Sequence, residues 1–244
     1  MELIKPYKKE YDYSYALGAF PTMELLTKRP ESAEAVYVHS SFTDRARVEE
    51  VCGRHGIPVR EGDKLIARLS DKENVYVIGQ FRKFRDELSE DQPHLMLVNP
   101  SNMGNLGTIL RTCLAFGIHD IAVITPAADH FNPKVVRASM GAVFSLRIAC
   151  FSDFEEYRKR YARTDRKLYA FMLSAKKQLT AENCPKPEKY TLIFGNEATG
   201  LPEAYADYAE AIIIPQSPEV DSLNLTIAVG IGAYLFRKTE VRQV

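Results

Sequence analysis

Residues 95–124 constrain the fold more than any other part of the chain. The apolar run 95–98 leads into Asn99-Pro-Ser-Asn-Met-Gly-Asn-Leu-Gly-Thr-Ile-Leu-Arg-Thr-Cys-Leu-Ala-Phe-Gly117, and a second apolar run, 121–124, follows. This pattern predicts a strand, a loop, a helix and a second strand. Leu106, Ile109, Leu110, Cys113 and Gly117 recur at helical spacing, so one small or apolar face of the helix belongs on a sheet. Thr108, Arg111 and Thr112 face elsewhere. Asn99, Ser101, Asn102 and Asn105 are good N-cap residues, and Gly104 and Gly107 let a bound group approach the backbone. A helix start also offers free amide donors to a polar ligand. Arg111 lies roughly 9 Å of helix rise beyond Asn105, deeper than a capping residue would. Taken alone, the stretch equally suits an ordinary βαβ unit with a surface arginine. The G-x-x-G at Gly104 and Gly107 is not the G-x-G-x-x-G spacing of dinucleotide sites.

Strands and helices alternate onward from this unit. Strands are expected at 121–124, 145–149, 168–173, 191–194 and 211–214, and helices at 133–140, 153–162 and shortly after Pro202. That alternation predicts a mostly parallel sheet covered by helices, with ligands at the carboxyl ends of its strands. Two further loops leave such ends. One is Thr191-Leu-Ile-Phe-Gly-Asn-Glu-Ala-Thr-Gly-Leu-Pro202, a Gly-bounded polar loop with one carboxylate, Glu197. The other runs from Ile214-Pro-Gln to Ser222-Leu-Asn-Leu225. The final helix, 223–236, is apolar nearly all round and too short for a bilayer, so a second subunit is expected to cover part of it. Asn224, at its start, needs hydrogen-bond partners and is expected to point back at the preceding loops.

The first 85 residues read as a small α/β domain. A helix is expected at 16–26, interrupted by Pro21, then a strand at 35–39. A helix at 44–55 would be capped by Asp44 and ended by Gly56. Short elements at 57–59 and 64–69 and a strand at 75–81 complete it. A charged stretch, 86–94, reads as a linker, leaving 95–244 as the second domain.

The totals set outer bounds. Thirty-two basic and thirty-two acidic side chains cancel, so no global field draws this chain to nucleic acid or membrane, and any RNA contact needs local patches. Arg82, Arg85, Arg45, Arg47, Arg54 and Arg60 are the expected cations for such patches. The run 158–160, with Arg163, Arg166 and Lys167, reads as a solvated face because carboxylates are interleaved with it. The start lacks a signal peptide's apolar core and no run reaches membrane-spanning length, so a cytoplasmic location is expected. Four scattered cysteines, at 52, 113, 150 and 184, argue for free thiols and against zinc or a disulfide framework. The five histidines fall in no catalytic spacing.

Taken together and in order, three stretches resemble the motifs of the SpoU (TrmH-like) RNA 2′-O-ribose methyltransferases of the SPOUT superfamily. They are Asn105-Leu-Gly-Thr-Ile-Leu-Arg111, Phe194-Gly-Asn-Glu-Ala-Thr-Gly-Leu201, and Ile214-Pro-Gln with Ser222-Leu-Asn-Leu225. The first domain is similar, more loosely, to that family's substrate-binding domain, mainly over 49–69. The common His-Gln-Gly is replaced there by Lys72-Glu-Asn74. Arg137-Ala-Ser-Met-Gly-Ala142 resembles a segment that the family places near RNA.

The resemblance implies an α/β parallel-sheet SPOUT domain with a C-terminal trefoil knot, binding S-adenosylmethionine through main-chain groups at Gly195, Ile214 and Leu223. It also implies a homodimer whose active site is completed across the interface. Arg111 would be the catalytic arginine. Because a guanidinium resists deprotonation, its expected role is to hold the RNA phosphate and the developing alkoxide. Asn105, Glu197, Ser222 and Asn224 match the family's other functional positions, Glu197 and Asn224 being expected to orient Arg111 and the knot loops. No metal is required. The implied activity is methylation of a ribose 2′-hydroxyl in structured RNA, rRNA ahead of tRNA. The alternatives are a SPOUT base methyltransferase, a catalytically silent RNA-binding dimer, and a small-molecule α/β enzyme.

Overall fold

The computed structural model describes residues 5–70, 75–162, 165–185 and 187–237. The expectations placed on Lys72-Glu-Asn74 and Arg163 lie outside the described residues. In chain order the elements are β1 (Tyr13–Leu17), α1 (Ala19–Lys28), β2 (Ala33–Val38), α2 (Arg45–His55), β3 (Val59–Glu61), α3 (Asp63–Leu69) and β4 (Val77–Arg82). Then come β5 (His94–Val98), α4 (Met103–Ala115), β6 (Asp120–Ile124), α5 (Pro133–Ala138), β7 (Arg147–Phe151) and α6 (Phe154–Tyr161). The remainder is β8 (Lys167–Phe171), β9 (Lys177–Gln178), β10 (Tyr190–Phe194), β11 (Glu210–Ile213) and α7 (Leu225–Phe236). These elements form two compact units. The first holds the described residues up to Arg85 together with Asp129–Ser145, and the second holds Asp86–Ala128 and the described residues from Leu146 onward.

The first unit is a four-stranded sheet in the order β1-β4-β2-β3. Tyr15, Leu17, Ala35, Tyr37, Ile66 and Ile78 form one core layer, and Leu26, Val36, Val38, Val48, Cys52 and Val77 another. The helix expected at 16–26 is corrected here. Tyr13–Leu17 is an edge strand pairing antiparallel with β4, and the helix begins only at Ala19. Residues 14–17 are all buried, which hid the two-residue alternation, and Pro21 falls in the first helical turn, where its missing N–H costs nothing. Asp44 does occupy the N-cap of α2 but accepts no capping bond, whereas Gly56 ends that helix in the left-handed region at φ 68°.

Asp129–Ser145 follows β6 in sequence yet packs into this first unit. α5 contacts β1, and the Ser14 hydroxyl donates to the Phe131 carbonyl at 2.5 Å. The Tyr7 hydroxyl donates to Asp129, whose carboxylate also meets Lys83 at 3.5 Å. Phe81 lies edge-on to Phe144, as Phe84 does to Phe131, with centroids 5.0 and 4.9 Å apart. Burial of Phe131, Val135, Val136 and Phe144 is the driving force. The expected block 95–244 is therefore interrupted in space. The stretch read as a linker, 86–94, joins the second unit: Leu88 is buried in its core, and the Ser89 amide donates to Asp120 at 2.8 Å.

The second unit is a seven-stranded sheet ordered β7-β6-β5-β10-β8-β11-β9, and every pairing in it is parallel. Leu106, Ile109, Leu110 and Cys113 of α4 are fully buried, as their spacing required, while Gly117 serves as the left-handed turn after the helix at φ 78°. α7 packs against α4 and β10. Arg166 is not on a solvated face: it is buried and donates to the carbonyls of Glu90, Gln92, Tyr161 and Tyr190. The neighbouring Arg158 and Arg160 are paired with Glu155 and Glu87.

At the amino ends of the central strands, buried His94 bridges the Ser89 carbonyl (2.7 Å) and the Tyr157 hydroxyl (2.9 Å), and Tyr157 also meets Thr191 at 2.7 Å. Burial first, then the nearby Arg166 cation, lowers the His94 pKa from 6.5 to about 4. The folded chain thus binds this proton less readily than the unfolded chain. The contribution of neutral His94 is complete above about pH 6.5 and is lost as pH falls towards 4. Urea titrations at stepped pH are expected to show on the order of 3 kcal/mol of acid destabilisation from this group, absent in His94→Gln. An unchanged slope in that variant contradicts the assignment.

Candidate active site

β10 lies beside β5, with Phe194 in register with Leu97, so the loops that follow these two strands leave the same edge of the sheet side by side. The loop after β5 turns at Asn99, whose φ of 52° is left-handed. Its amide donates to the Ile124 carbonyl at 3.0 Å, and its side chain reaches the same carbonyl and that of Pro126. α4 then begins at Asn102, whose side chain accepts from the Asn105 amide at 3.0 Å. The loop after β10 is folded tightly on itself. A Cβ on Gly195 would lie 2.1 Å from the Gly200 carbonyl carbon, and Asn196 and Gly200 exchange backbone hydrogen bonds of 3.2 and 3.0 Å. That approach admits no side chain at position 195.

Glu197 joins the two loops. One carboxylate oxygen accepts from the Ser101 amide (3.1 Å), the Ser101 hydroxyl (3.0 Å) and the Asn196 side chain (3.4 Å). The other accepts from the Asn102 amide (3.1 Å) and the Asn105 side chain (3.3 Å). Burial would push this carboxyl up, but the amides of Glu197, Ser101 and Asn102 and the Ser101 hydroxyl hold its pKa below the ordinary value. Asn196 adds a strut between the loops: its side-chain N–H donates to the Asn99 carbonyl at 2.7 Å, while its oxygen accepts from the Ala198 and Thr199 amides. Asn99, expected as an N-cap residue, instead fixes the turn before the helix, and Asn196 was not singled out in the sequence. The signal available for Asn196 was an Asx-turn residue directly after a strand and glycine.

A cavity of about 240 Å³ opens at the carboxyl ends of β8, β10 and β11. Gly195, Glu197, Ile214, Ser222 and Leu223 all line it, so the second and third motifs share one wall. Its floor includes Phe171 and Phe194, stacked at 4.1 Å and 17°. α7 rests on this pair through Gly232, where a Cβ would come within 2.8 Å of Phe171. An apolar floor walled by main-chain turns suits a flat heterocycle joined to a polar group.

Two expected contacts are absent among the described residues. Asn224 caps its own helix, accepting from the Thr226 amide at 2.8 Å and hydroxyl at 2.6 Å. It does not orient the earlier loops, because the four free N–H groups of α7 claim its oxygen first. Glu197 likewise engages Asn105 and not Arg111. The Arg111 side chain is exposed and has no hydrogen bond or ion pair among the described residues. Nor do the described residues contain a cluster of side chains able to hold a metal ion.

Replacing Glu197 with Gln keeps the shape but puts an amide against several donors. Each charge-assisted bond lost is worth about 1.5–3 kcal/mol. Hydrogen exchange at the Ser101 and Asn102 amides is therefore expected to accelerate at least about tenfold in Glu197→Gln, with the sheet amides unchanged. Unaltered loop protection would show that other contacts fix the loop.

An uncharacterized tRNA/rRNA methyltransferase of Synechocystis is 32% identical over 147 residues, which is 60% of this chain and 53% of that protein, so the chain spans about half its length. The 23S rRNA (adenosine(1067)-2'-O)-methyltransferase of Streptomyces azureus is 26% identical over 96% of this chain and 89% of its own. The crystal structure of an AdoMet-bound rRNA methyltransferase from Sinorhizobium meliloti superposes with a TM-score of 0.77 at 26% identity, covering 92% of this chain and 86% of that one. The profile of the SpoU rRNA methylase family matches residues 92–234, more than half the chain. The residues matched contain both loops joined by Glu197 and the cavity beside them, and the chain belongs to the SpoU rRNA methylase family.

Proposed function

We propose that this chain is an RNA methyltransferase that transfers the methyl group of S-adenosylmethionine to a ribose 2′-hydroxyl in structured RNA, with rRNA the favoured substrate. The observation that carries this reading is the exposed Arg111, whose side chain has no partner among the described residues, on a helix whose first turn is fixed to the cavity wall by Glu197. When bound, the cofactor supplies an already activated methyl group. Gly195, Ile214 and Leu223 would hold it by main-chain groups, and Ser222 stands at the same wall. The protein's remaining task is to place the hydroxyl oxygen in line and to manage one proton. Arg111 holds the neighbouring phosphate and the developing alkoxide; Asn105 and Glu197 fix the loop before it, and Asn224 the start of α7.

Supporting this reading, relatives named as 2'-O-methyltransferases include enzymes for 23S rRNA and for tRNA. We further infer a trefoil knot formed by the segment from β10 to α7, consistent with the placement of β10 between β5 and β8 and of α7 against α4. The working form is a cytoplasmic homodimer, and the first unit serves as the RNA-binding domain. No helix among the described residues is long and apolar enough to cross a membrane. Ile227 and Tyr234, 54% and 50% exposed, mark the outer face of α7, where Tyr234 meets Phe116 edge-on. This apolar stripe is the expected dimer contact.

Three measurements test the scheme. After incubation with the enzyme and labelled cofactor, ribosomal RNA is expected to yield nuclease-resistant 2′-O-methyl dinucleotides; a methyl on base, or none, refutes the activity. Arg111→Ala is expected to keep cofactor affinity while losing about a hundredfold or more in turnover, and lost affinity would make that arginine structural. Ile227→Asp is expected to halve the mass seen by sedimentation, and an unchanged mass would move the interface elsewhere.

A further inference from the structure

A chain with no net charge must recognise RNA through local surfaces, and the structure removes several obvious ones. On α2, Arg45 is paired with Glu49 and Glu61, Arg54 with Glu50, and Arg47 lies 4.0 Å from Asp44. The expectation that Arg45, Arg47 and Arg54 are open to phosphate is corrected: i,i+4 and cross-element carboxylates already neutralise them. Arg60 sits beside Tyr37.

A different surface of the same unit has the opposite character. Tyr11 and Tyr13 are half-buried and stacked, with ring centroids 5.2 Å apart and planes 21° from parallel. Tyr15, edge-on to Tyr13, backs them. Tyr13 lies directly across from Arg82 in the β1/β4 register, so ring and guanidinium share one face of the sheet. The Lys83 amide and ammonium tie β4 to the carbonyls of Asp12 and Lys9 at 2.7 and 2.8 Å, which brings Lys9 and Arg85 to the same end. Lys5, Lys9 and Arg85 are exposed and have no carboxylate partner among the described residues. The opposing charges are Glu34, which meets Arg82 at 3.3 Å, Glu10, which meets Lys8 at 3.8 Å, and exposed Asp12.

Sequence-tolerant binding of unpaired RNA uses this combination: aromatic faces for bases and cations without carboxylates for the backbone. We propose that the Tyr11–Tyr13 stack at the start of the edge strand β1 is a platform for an unpaired RNA base, with Lys9 and Arg85 holding its flanking phosphates. This rests on the RNA reading above and adds to it a second contact, outside the cavity and the Arg111 helix.

The test is fluorescence anisotropy of the full chain with a labelled RNA hairpin carrying an adenine-rich unpaired loop, and with ribosomal RNA freed of protein. Calorimetric titration with S-adenosylmethionine and thermal melts run in parallel. Tyr11→Ala and Tyr13→Ala are each expected to weaken RNA binding about tenfold, with cofactor affinity unchanged and Tyr→Phe at either site within about twofold of the parent. Lys9→Glu with Arg85→Glu is expected to weaken binding and flatten its salt dependence. RNA affinity unchanged in both alanine variants overturns the platform, as does equal loss in the Phe variants, which would assign the effect to the hydroxyl. Tyr11 lies outside β1, so its Ala variant stays informative if Tyr13→Ala unfolds. Failure of the parent chain to bind either RNA would instead overturn the RNA reading itself.

Discussion

The carboxylate of Glu197 is the constraint on which the candidate site depends. It is one acid facing five donors drawn from two loops, and it stays ionised because those donors outweigh the effect of its partial burial. Charge-assisted bonds of this kind are stronger than neutral ones and less tolerant of displacement. The beginning of α4 is therefore held at the cavity wall, and the Arg111 side chain, two turns further along, has no partner among the described residues.

Sheet order makes that arrangement possible. In a parallel sheet the loops after adjacent strands emerge at one edge, so placing β10 next to β5 brings residues nearly a hundred positions apart in sequence within hydrogen-bonding distance. Close approach is then secured by the absence of side chains. Gly195 lets the second loop close on Gly200, and Gly232 lets α7 settle on the stacked Phe171 and Phe194. The cavity lies where these close approaches meet.

The first unit follows a different economy. Its sheet takes in Asp129–Ser145, a segment that belongs in sequence to the β6-to-β7 crossover. An aromatic group of four phenylalanines and the Tyr7, Lys83 and Asp129 contacts secure it. Most cations of α2 are neutralised locally, whereas Lys5, Lys9 and Arg85 are exposed and have no carboxylate partner among the described residues, so a chain of zero net charge retains a local cationic surface.

Local periodicity alone determined much of this protein. The buried face of α4, the parallel character of the second sheet and the turn at Gly56 follow from spacing and composition, since each depends on neighbours a few residues away. The three motifs were legible as loops at strand ends; that the second and third line one cavity was decided by the tertiary structure. Contacts decided by distant partners were not legible. The strand at β1 was hidden because both its faces are covered; Asn224 was assigned to the loops although its own helix start is nearer; Arg166 was read as solvated although four carbonyls enclose it. The same holds for Asn196, Asn99 and the five-donor grip on Glu197. A hydrogen bond across about a hundred residues leaves no periodic trace in sequence, and only the order in which strands pair determines which loops meet.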